Sequence, residues 1–289
     1  YAVIGFPKTG TDTLMRYLNT ENSRTLPTEQ CQLDWAVFEL VKSLFEFSPQ
    51  DNHVKRGVKC PQCVSNHCLK NLSKYFYKTK LIVGVRHPVL WFQSFYNYRV
   101  HYEYAEMPAP HVLLTKEVGD LSVKLSRFHE KLVLLGKTPL ASIEERTFLG
   151  LHINDEHTVH QFIKNDVVQI PHQVFLYDVE QMGDVNVTRS DRFRMDLGEF
   201  IGVDDLGPMM IHENAAEPKS KTPPEIQAKK INICDAAHDD VREVLMKNGV
   251  DASRWIRTYF LESNDVHCSS CEFLKEALAK WEIDPCEKR

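Results

Sequence analysis

The stretch Gly5-Phe6-Pro7-Lys8-Thr9-Gly10-Thr11-Asp12-Thr13 constrains this chain more than any other. Tyr1 to Gly5 before it is apolar, and Leu14, Tyr17 and Leu18 after it recur at helical spacing. An apolar run, a Pro/Gly turn and an amphipathic repeat spell strand, loop, helix. Such a turn presents backbone N–H groups and a positive helix end to an anion, and Gly10 permits close approach. A phosphate-binding geometry is therefore expected. The spacing from Gly5 to Gly10 matches the G-x-x-x-x-G-K-[ST] loop of nucleoside triphosphatases, but Thr11 and Asp12 stand where Lys and Ser/Thr belong. Lys8 lies inside the loop instead, where it would reach a group above a 5′ phosphate without the usual magnesium position. The plain alternative is an ordinary strand-to-helix turn with a surface lysine.

The rest of the chain repeats the alternation. A short strand at Gly57 to Lys59 precedes a helix through Leu69, Leu72 and Tyr75, and an apolar strand from Lys80 to Arg86 precedes a helix opened by Pro88. Gln173 to Tyr177 reads as another inner strand. Strands alternating with helices predict a parallel sheet. Leu33 to Phe47 reads as one amphipathic helix, with Leu33, Val37, Leu40, Val41, Leu44 and Phe45 on its apolar side. Helical periodicity also runs through Leu121 to Leu135 and His157 to Asn165. Asn214 to Glu225 carries three prolines and reads as a surface loop and candidate lid. Arg242 to Leu261 reads as a helix, a break at Gly249 and a second helix, and Cys271 to Trp281 as a last amphipathic helix. With no repeat and no dividing linker, residues 1–289 are expected to form a single domain. Its expected class is α/β, three-layer, with a central parallel sheet, a P-loop-like strand–loop–helix at the N-terminus and added C-terminal helices.

Of 289 residues, 35 are Lys or Arg and 40 are Asp or Glu, a formal charge of −5. A bulk nucleic-acid binder would be basic overall, so no nucleic-acid partner is expected. The total hides an asymmetry. Asn52 to Arg99 holds nine Lys or Arg and no Asp or Glu, a segment of +9 that leaves −14 for the remainder. No apolar run approaches the roughly 18–20 residues that cross a bilayer. Because the first residue is Tyr1 rather than Met and apolar sequence starts at once, a trimmed upstream segment is expected, in which any signal or membrane anchor would lie out of sight. Eight cysteines and two Asn-X-Ser/Thr sequons, at Asn71 and Asn186, permit a secretory-pathway lumen. Cys60, Cys63, His67 and Cys68 are ligand types of structural zinc, yet Cys60, Cys63 and Cys68 fall in one short stretch that reads as helical, no second cysteine pair is near, and Cys268-Ser-Ser-Cys271 lies about two hundred residues on. Disulfides or buried thiols are expected in place of a metal.

Arg86 leaves the carboxyl end of a predicted buried strand, where ligands collect in open α/β sheets, and Ser94 follows two helical turns later. An arginine fork with a hydroxyl suits a second phosphate. Together, Pro7-Lys8-Thr9-Gly10-Thr11-Asp12-Thr13 and Arg86-His87-Pro88-Val89-Leu90-Trp91-Phe92-Gln93-Ser94-Phe95-Tyr96 resemble the two cofactor signatures of the sulfotransferases that use 3′-phosphoadenosine-5′-phosphosulfate (PAPS). The first is similar to that family's 5′-phosphosulfate loop and the second to its 3′-phosphate motif, and Val174 to Asp178 resembles its following strand. The detailed resemblance covers a third of the chain. Asp12 departs from it, since a carboxylate near a phosphate is unfavourable unless it caps the helix or points away.

The resemblance implies PAPS as co-substrate, its desulfated form PAP as product, and no required metal. Lys8 would bind sulfonate or bridging oxygens and stabilise the departing phosphate. Thr9, Gly10, Thr11, Asp12 and Thr13 would supply the loop, and Arg86 and Ser94 would hold the 3′ phosphate. Val58-Lys59-Cys60-Pro61 resembles the Lys-X-Pro element of the Golgi, carbohydrate-modifying branch, which puts Lys59 near the sulfonate or acceptor. Glu29 stands where that branch has its general base; a solvated acid at a helix N-terminus is the plain alternative. Histidine is the rival base, with His53, His67 and His87 nearest, and Lys219 and Lys221 are candidates for a basic loop over the 3′ phosphate. The implied activity is in-line sulfonate transfer to a hydroxyl acceptor, a carbohydrate being favoured. The implied place is the Golgi lumen with a type II anchor, and the cytoplasm is the alternative. Two rivals stand beside it: a P-loop kinase or nucleoside triphosphatase, and a catalytically silent nucleotide-binding protein, which Asp12 keeps in play.

Overall fold

The computed structural model describes residues 1–47, 53–61, 63, 66–102, 107–114, 171–208 and 223–287. The helices expected at 121–135 and 157–165, the lysines at 219 and 221 and most of the candidate lid lie outside these residues. Among the described residues the centre is a six-stranded, all-parallel sheet: β1 (Ala2–Gly5), β2 (Ser23–Thr25), β3 (Lys55–Cys60), β4 (Leu81–Val85), β5 (Val174–Asp178) and β6 (Val266–His267), in the order β2-β3-β1-β4-β5-β6. The register aligns Ala2 with Val58 on one side and with Leu81 on the other, and Leu81 in turn with Val174.

The inner strands β1, β4 and β5 are almost wholly apolar because both faces are covered, and their two-residue period sorts the side chains between two cores. Ala2, Ile4, Leu81, Val83, Val85, Val174 and Leu176 face one core, shared with helices α2 (Val37–Phe47), α3 (Asn66–Tyr75) and α4 (Pro88–Tyr102). Val3, Ile82, Phe175 and Tyr177 face the other, built on α1 (Thr11–Tyr17) and α6 (Val187–Ile201), the latter following the short α5 (Val179–Met182). A further short helix, α7 (Pro224–Gln227), precedes α8 (Asp239–Trp255) and α9 (Cys271–Ala279); α8 and α9 extend the first core. The expected α/β architecture with a parallel sheet between helical layers is the one observed.

Four expectations need correction. The helix expected from Leu33 begins at Val37, after a separate 3-10 turn at Gln32–Asp34. Phe45, placed on its apolar side, is 69% exposed, while Leu40 is buried. Gly249 does not break the C-terminal helix: α8 runs through it and closes in a π-helical turn, Ile256–Phe260. A Cβ at residue 249 would stand 3.1 Å from the Trp281 carbonyl oxygen, so this glycine serves a close helix-to-segment approach. Finally, Cys60, Cys63 and Cys68 do not share a helix. Cys60 ends β3, Cys63 sits in the turn and only Cys68 is helical. All eight cysteines are paired, as Cys31–Cys60, Cys63–Cys68, Cys234–Cys286 and Cys268–Cys271.

Strand order determines where a site can form. The chain leaves β1 for the edge at β2, returns to β3, and then crosses β1 to reach β4. The reversal opens a crevice at the carboxyl ends of β1 and β4. Gly84 near the end of β4 keeps that crevice tightly packed. A Cβ there would lie 2.5 Å from the Tyr177 hydroxyl and 2.7 Å from Thr9 Oγ1. Gly84→Ala should therefore push Tyr177 off the loop and cost about 1–3 kcal/mol, read as a lower denaturant midpoint at unchanged m-value; an unaltered midpoint would contradict this packing.

Candidate active site

The loop between β1 and α1 is held by its carbonyl groups. Thr9 Oγ1 donates to the Phe6 carbonyl at 2.7 Å, Trp91 Nε1 to that of Pro7 at 2.7 Å, Arg86 to that of Lys8 at 3.4 Å, and the Tyr177 hydroxyl to that of Thr9 at 2.9 Å. The Gly10 carbonyl accepts the first helical bond, from Leu14. Five successive carbonyls are thus engaged by the protein. The N–H groups of the first helical turn, at Thr11, Asp12 and Thr13, have no intrahelical acceptor, and Gly10 has no side chain with which to cap them. The backbone reaches this shape through positive φ at Gly5, Lys8 and Gly10. At Gly10 a side chain is excluded on a second count, since a Cβ would sit 2.6 Å from Met182 Sδ.

Lys8 adopts positive φ as a non-glycine residue, which costs conformational energy and is characteristic of functional turns. Its ammonium lies over the Tyr98 ring, 4.6 Å from the centroid. Tyr98 is one turn beyond Ser94 on α4, so the two share a helix face, and Ser94 is half-buried there. Burial lowers the Lys8 pKa; Asp12 offsets part of this, and the positive charges of Arg86 and Lys59 lower it further. Burial also lowers the pKa of Arg86, partly offset by Asp178. Neither Lys8 nor Arg86 forms an ion pair with a carboxylate among the described residues. Among the described residues the crevice therefore holds two partly desolvated cations without an ion-paired carboxylate, an arrangement suited to an anion.

Beside them Lys59 has a different environment. Its side chain is 3% exposed, and Nζ bonds Asp12 Oδ1 and, at 2.6 Å, Glu29 Oε1. A buried ammonium needs such compensation. The pairing explains Asp12: its carboxylate is drawn to Lys59. Glu29 and Asp12 are each about half exposed, at 52% and 53%, so each retains an oxygen accessible to a substrate hydroxyl. Glu29 owes its place to its backbone. Leu26 N–H donates to Gly57 and Gln30 N–H to Lys59, so the segment follows β3, and the Cys31–Cys60 disulfide fixes its end.

Sequence-predicted residues Lys8, Thr9, Gly10, Thr11, Asp12, Thr13, Arg86, Lys59 and Glu29 all belong to this crevice or its wall. His87 does not. It is buried, its Nδ1 accepts from Val89 N–H and its Nε2 meets the Ile283 carbonyl at 3.3 Å, which makes it a link to the C-terminal segment. His53 is exposed in a bend before β3. Trp91, Tyr98, Tyr177 and Asp178 were missed as site residues. The signal for Tyr98 was its four-residue offset from Ser94, and for Tyr177 and Asp178 their place at the carboxyl end of an inner strand.

The chain matches no protein-family model, and no curated protein sequence is similar to it. Among solved structures it is similar to a sulfotransferase from Alicyclobacillus acidocaldarius, with a TM-score of 0.51 and 12% identity, over 89% of this chain and 94% of that one. At that identity the likeness concerns the fold alone.

Asp178 supplies a test of the crevice electrostatics. It caps α5, with Oδ1 accepting from Glu180 N–H at 2.9 Å, while the buried Oδ2 has no hydrogen-bond partner among the described residues. Burial pushes its pKa from an ordinary 3.8 to about 7, opposed by the Glu180 N–H bond and by Arg86. The folded state thus binds the proton more tightly than the unfolded chain does, and the stability this gives is full below pH 3.8 and lost as pH rises through about 7. Asp178→Asn keeps the cap acceptor without titrating. Denaturation across this range should show wild type losing stability relative to the variant as pH rises to about 7, and a constant difference above it; a pH-independent difference would contradict the burial argument.

Proposed function

We propose that this chain is a sulfotransferase that moves a sulfonate from PAPS to a hydroxyl of a carbohydrate acceptor in the Golgi lumen. The observation that carries the reading is the pair of cations, Lys8 and Arg86, with no ion-paired carboxylate among the described residues, at the β1–β4 crevice beside a lysine shared by two accessible carboxylates. The fold likeness to a bacterial sulfotransferase supports it. Four disulfides support an oxidising lumen. The −14 charge outside the basic segment favours an acceptor of low charge over a long polyanion.

The residues present fit such a donor. Lys8 and the N–H groups of Thr11, Asp12 and Thr13 hold the phosphosulfate end, with Thr9 and Gly10 shaping the loop, and Arg86 with Ser94 holds the 3′ phosphate. Glu29 takes the acceptor proton through the oxygen turned away from Lys59. The acceptor oxygen forms its bond to sulfur as the bond from sulfur to the bridging oxygen breaks, and PAP leaves. Lys8 stabilises the charge that develops on the leaving phosphate, and Lys59 the charge on the sulfonate. A P-loop kinase is disfavoured because Asp12, at the magnesium-binding Ser/Thr position, is engaged by Lys59.

Lys8→Ala should retain the fold and lower sulfonate transfer from PAPS about 100- to 1,000-fold. Arg86→Ala should bring PAP affinity in calorimetry down to that of the nucleotide lacking the 3′ phosphate. Undiminished transfer in the first, or wild-type discrimination in the second, would sink these assignments. Magnesium-dependent phosphoryl transfer from ATP would favour the kinase, and nucleotide binding with no transfer to any acceptor would favour a silent protein.

The geometry also makes Asp12 a second candidate base, since it faces Lys59 as Glu29 does. Glu29→Gln should bind PAP normally and lose turnover, with Asp12→Asn retaining most of it. The reverse result would move the base to Asp12, and full turnover in both variants would return it to a histidine.

A further inference from the structure

The two sequons take no part in the crevice, and the fold treats them differently. Asn71 lies half-buried in α3, and its Nδ2 donates to the Leu33 carbonyl at 2.5 Å. That bond joins α3 to the 3-10 turn Gln32–Asp34, the turn that follows the cysteine tied to β3. A glycan on this nitrogen would force a bulky hydrated group between helix and turn. Asn186 stands at an open surface. It is the N-cap of α6: Oδ1 accepts from Arg189 N–H at 3.0 Å, and its own N–H donates to Asp184 Oδ1 at 2.9 Å. These bonds use the side-chain oxygen and the main chain, and Nδ2 donates to no group among the described residues. Asn186 and Thr188 are both exposed. Val185 and Val187 flank the asparagine at 92% and 72% exposure, two bare apolar side chains against which a first sugar can lie. The Asp184–Arg189 ion pair holds this helix entry in one conformation.

We propose that Asn186, and not Asn71, is an N-glycosylation site retained in the native protein. The pairing of all eight cysteines belongs to the same oxidising lumen in which N-glycans are attached. In the transfer, Asn186 Nδ2 forms a bond to the anomeric carbon of an oligosaccharide carried on a lipid diphosphate. The bond from that carbon to the diphosphate oxygen breaks, the lipid diphosphate leaves, and the amide proton passes to the transferase's base. Attachment precedes folding, so the native packing decides which glycan is tolerated: the cap at Asn186 keeps its acceptor oxygen, whereas α3 would lose its seat at Asn71. The proposal stands independently of the sulfotransferase reading, because it rests on neither the loop nor the crevice.

The test is to pass the full chain through the secretory pathway of a eukaryotic host and map its peptides by mass spectrometry before and after enzymatic release of N-glycans. The Asn186 peptide should carry a glycan and be left with aspartate at that position after release, and the Asn71 peptide should be unmodified. Thr188→Ala, which leaves the cap residue in place, and Asn186→Asp, which keeps its acceptor oxygen, should each be secreted one glycan lighter. An unmodified Asn186 in the secreted wild-type protein overturns the proposal, and so does a glycan on Asn71 in the disulfide-bonded protein.

Discussion

Everything at the crevice depends on how the carbonyl groups of Phe6 to Thr9 are occupied. A peptide loop carries as many acceptors as donors, and an exposed carbonyl repels an anion as strongly as an N–H attracts one. Here the donors come from around the sheet: Arg86 from just past the end of β4, Trp91 from α4, Tyr177 from β5, and Thr9 from the loop itself. Arg86 is engaged twice in this scheme, because the guanidinium that braces the Lys8 carbonyl is also one of the two cations with no ion-paired carboxylate among the described residues. Loop shape and site charge are therefore coupled through one side chain.

The second constraint is the compensation of Lys59. A buried ammonium facing one carboxylate would hold that carboxylate as its obligatory counterion. With Asp12 and Glu29 both on Nζ, the positive charge remains compensated when either carboxylate turns to another partner. The same arrangement removes the objection to an acid in the first turn beside an anion site, since the charge of Asp12 is spent on a lysine of the neighbouring strand. Lys8 and Arg86 have no such partner among the described residues, and the division leaves positive potential on one wall of the crevice and proton-accepting oxygens on the other.

What could be read from the sequence follows from how local each signal is. The β1 loop, β4 with Arg86, and the Pro88 helix announce themselves through apolar runs, Pro and Gly at fixed offsets. Strands β2 and β6 do not: Ser23-Arg24-Thr25 is polar, Val266-His267 is two residues long, and each is a strand because of the neighbour it pairs with. Gly249 looked like a break because glycine is a poor helix former, but the Trp281 carbonyl needs the room. Phe45 fits the helical period and is nevertheless exposed, because periodicity gives a face and not the presence of a layer against it. Eight cysteines can pair in about a hundred ways, and no spacing rule selects Cys31–Cys60. The partnership of Asp12 with Lys59, between residues 47 apart in sequence, is equally invisible before the strand order is known.

The position of Glu29 shows how the fold extends a site beyond the reach of its sheet. Strand β2 pairs with β3 over three residues only, from Ser23 to Thr25. Beyond it, two backbone hydrogen bonds, at Leu26 and Gln30, keep the chain alongside β3 without regular pairing. So few bonds on an edge would leave a carboxylate free to swing, since each contributes about 0.5–1.5 kcal/mol net. The Cys31–Cys60 bond closes the segment two residues past Glu29 and one residue past Lys59, so acid and ammonium are fixed by the same covalent tie. In an edge strand this short, a disulfide does what a longer ladder does in a central one, and the oxidised state of Cys31 and Cys60 becomes a condition for the geometry of the site.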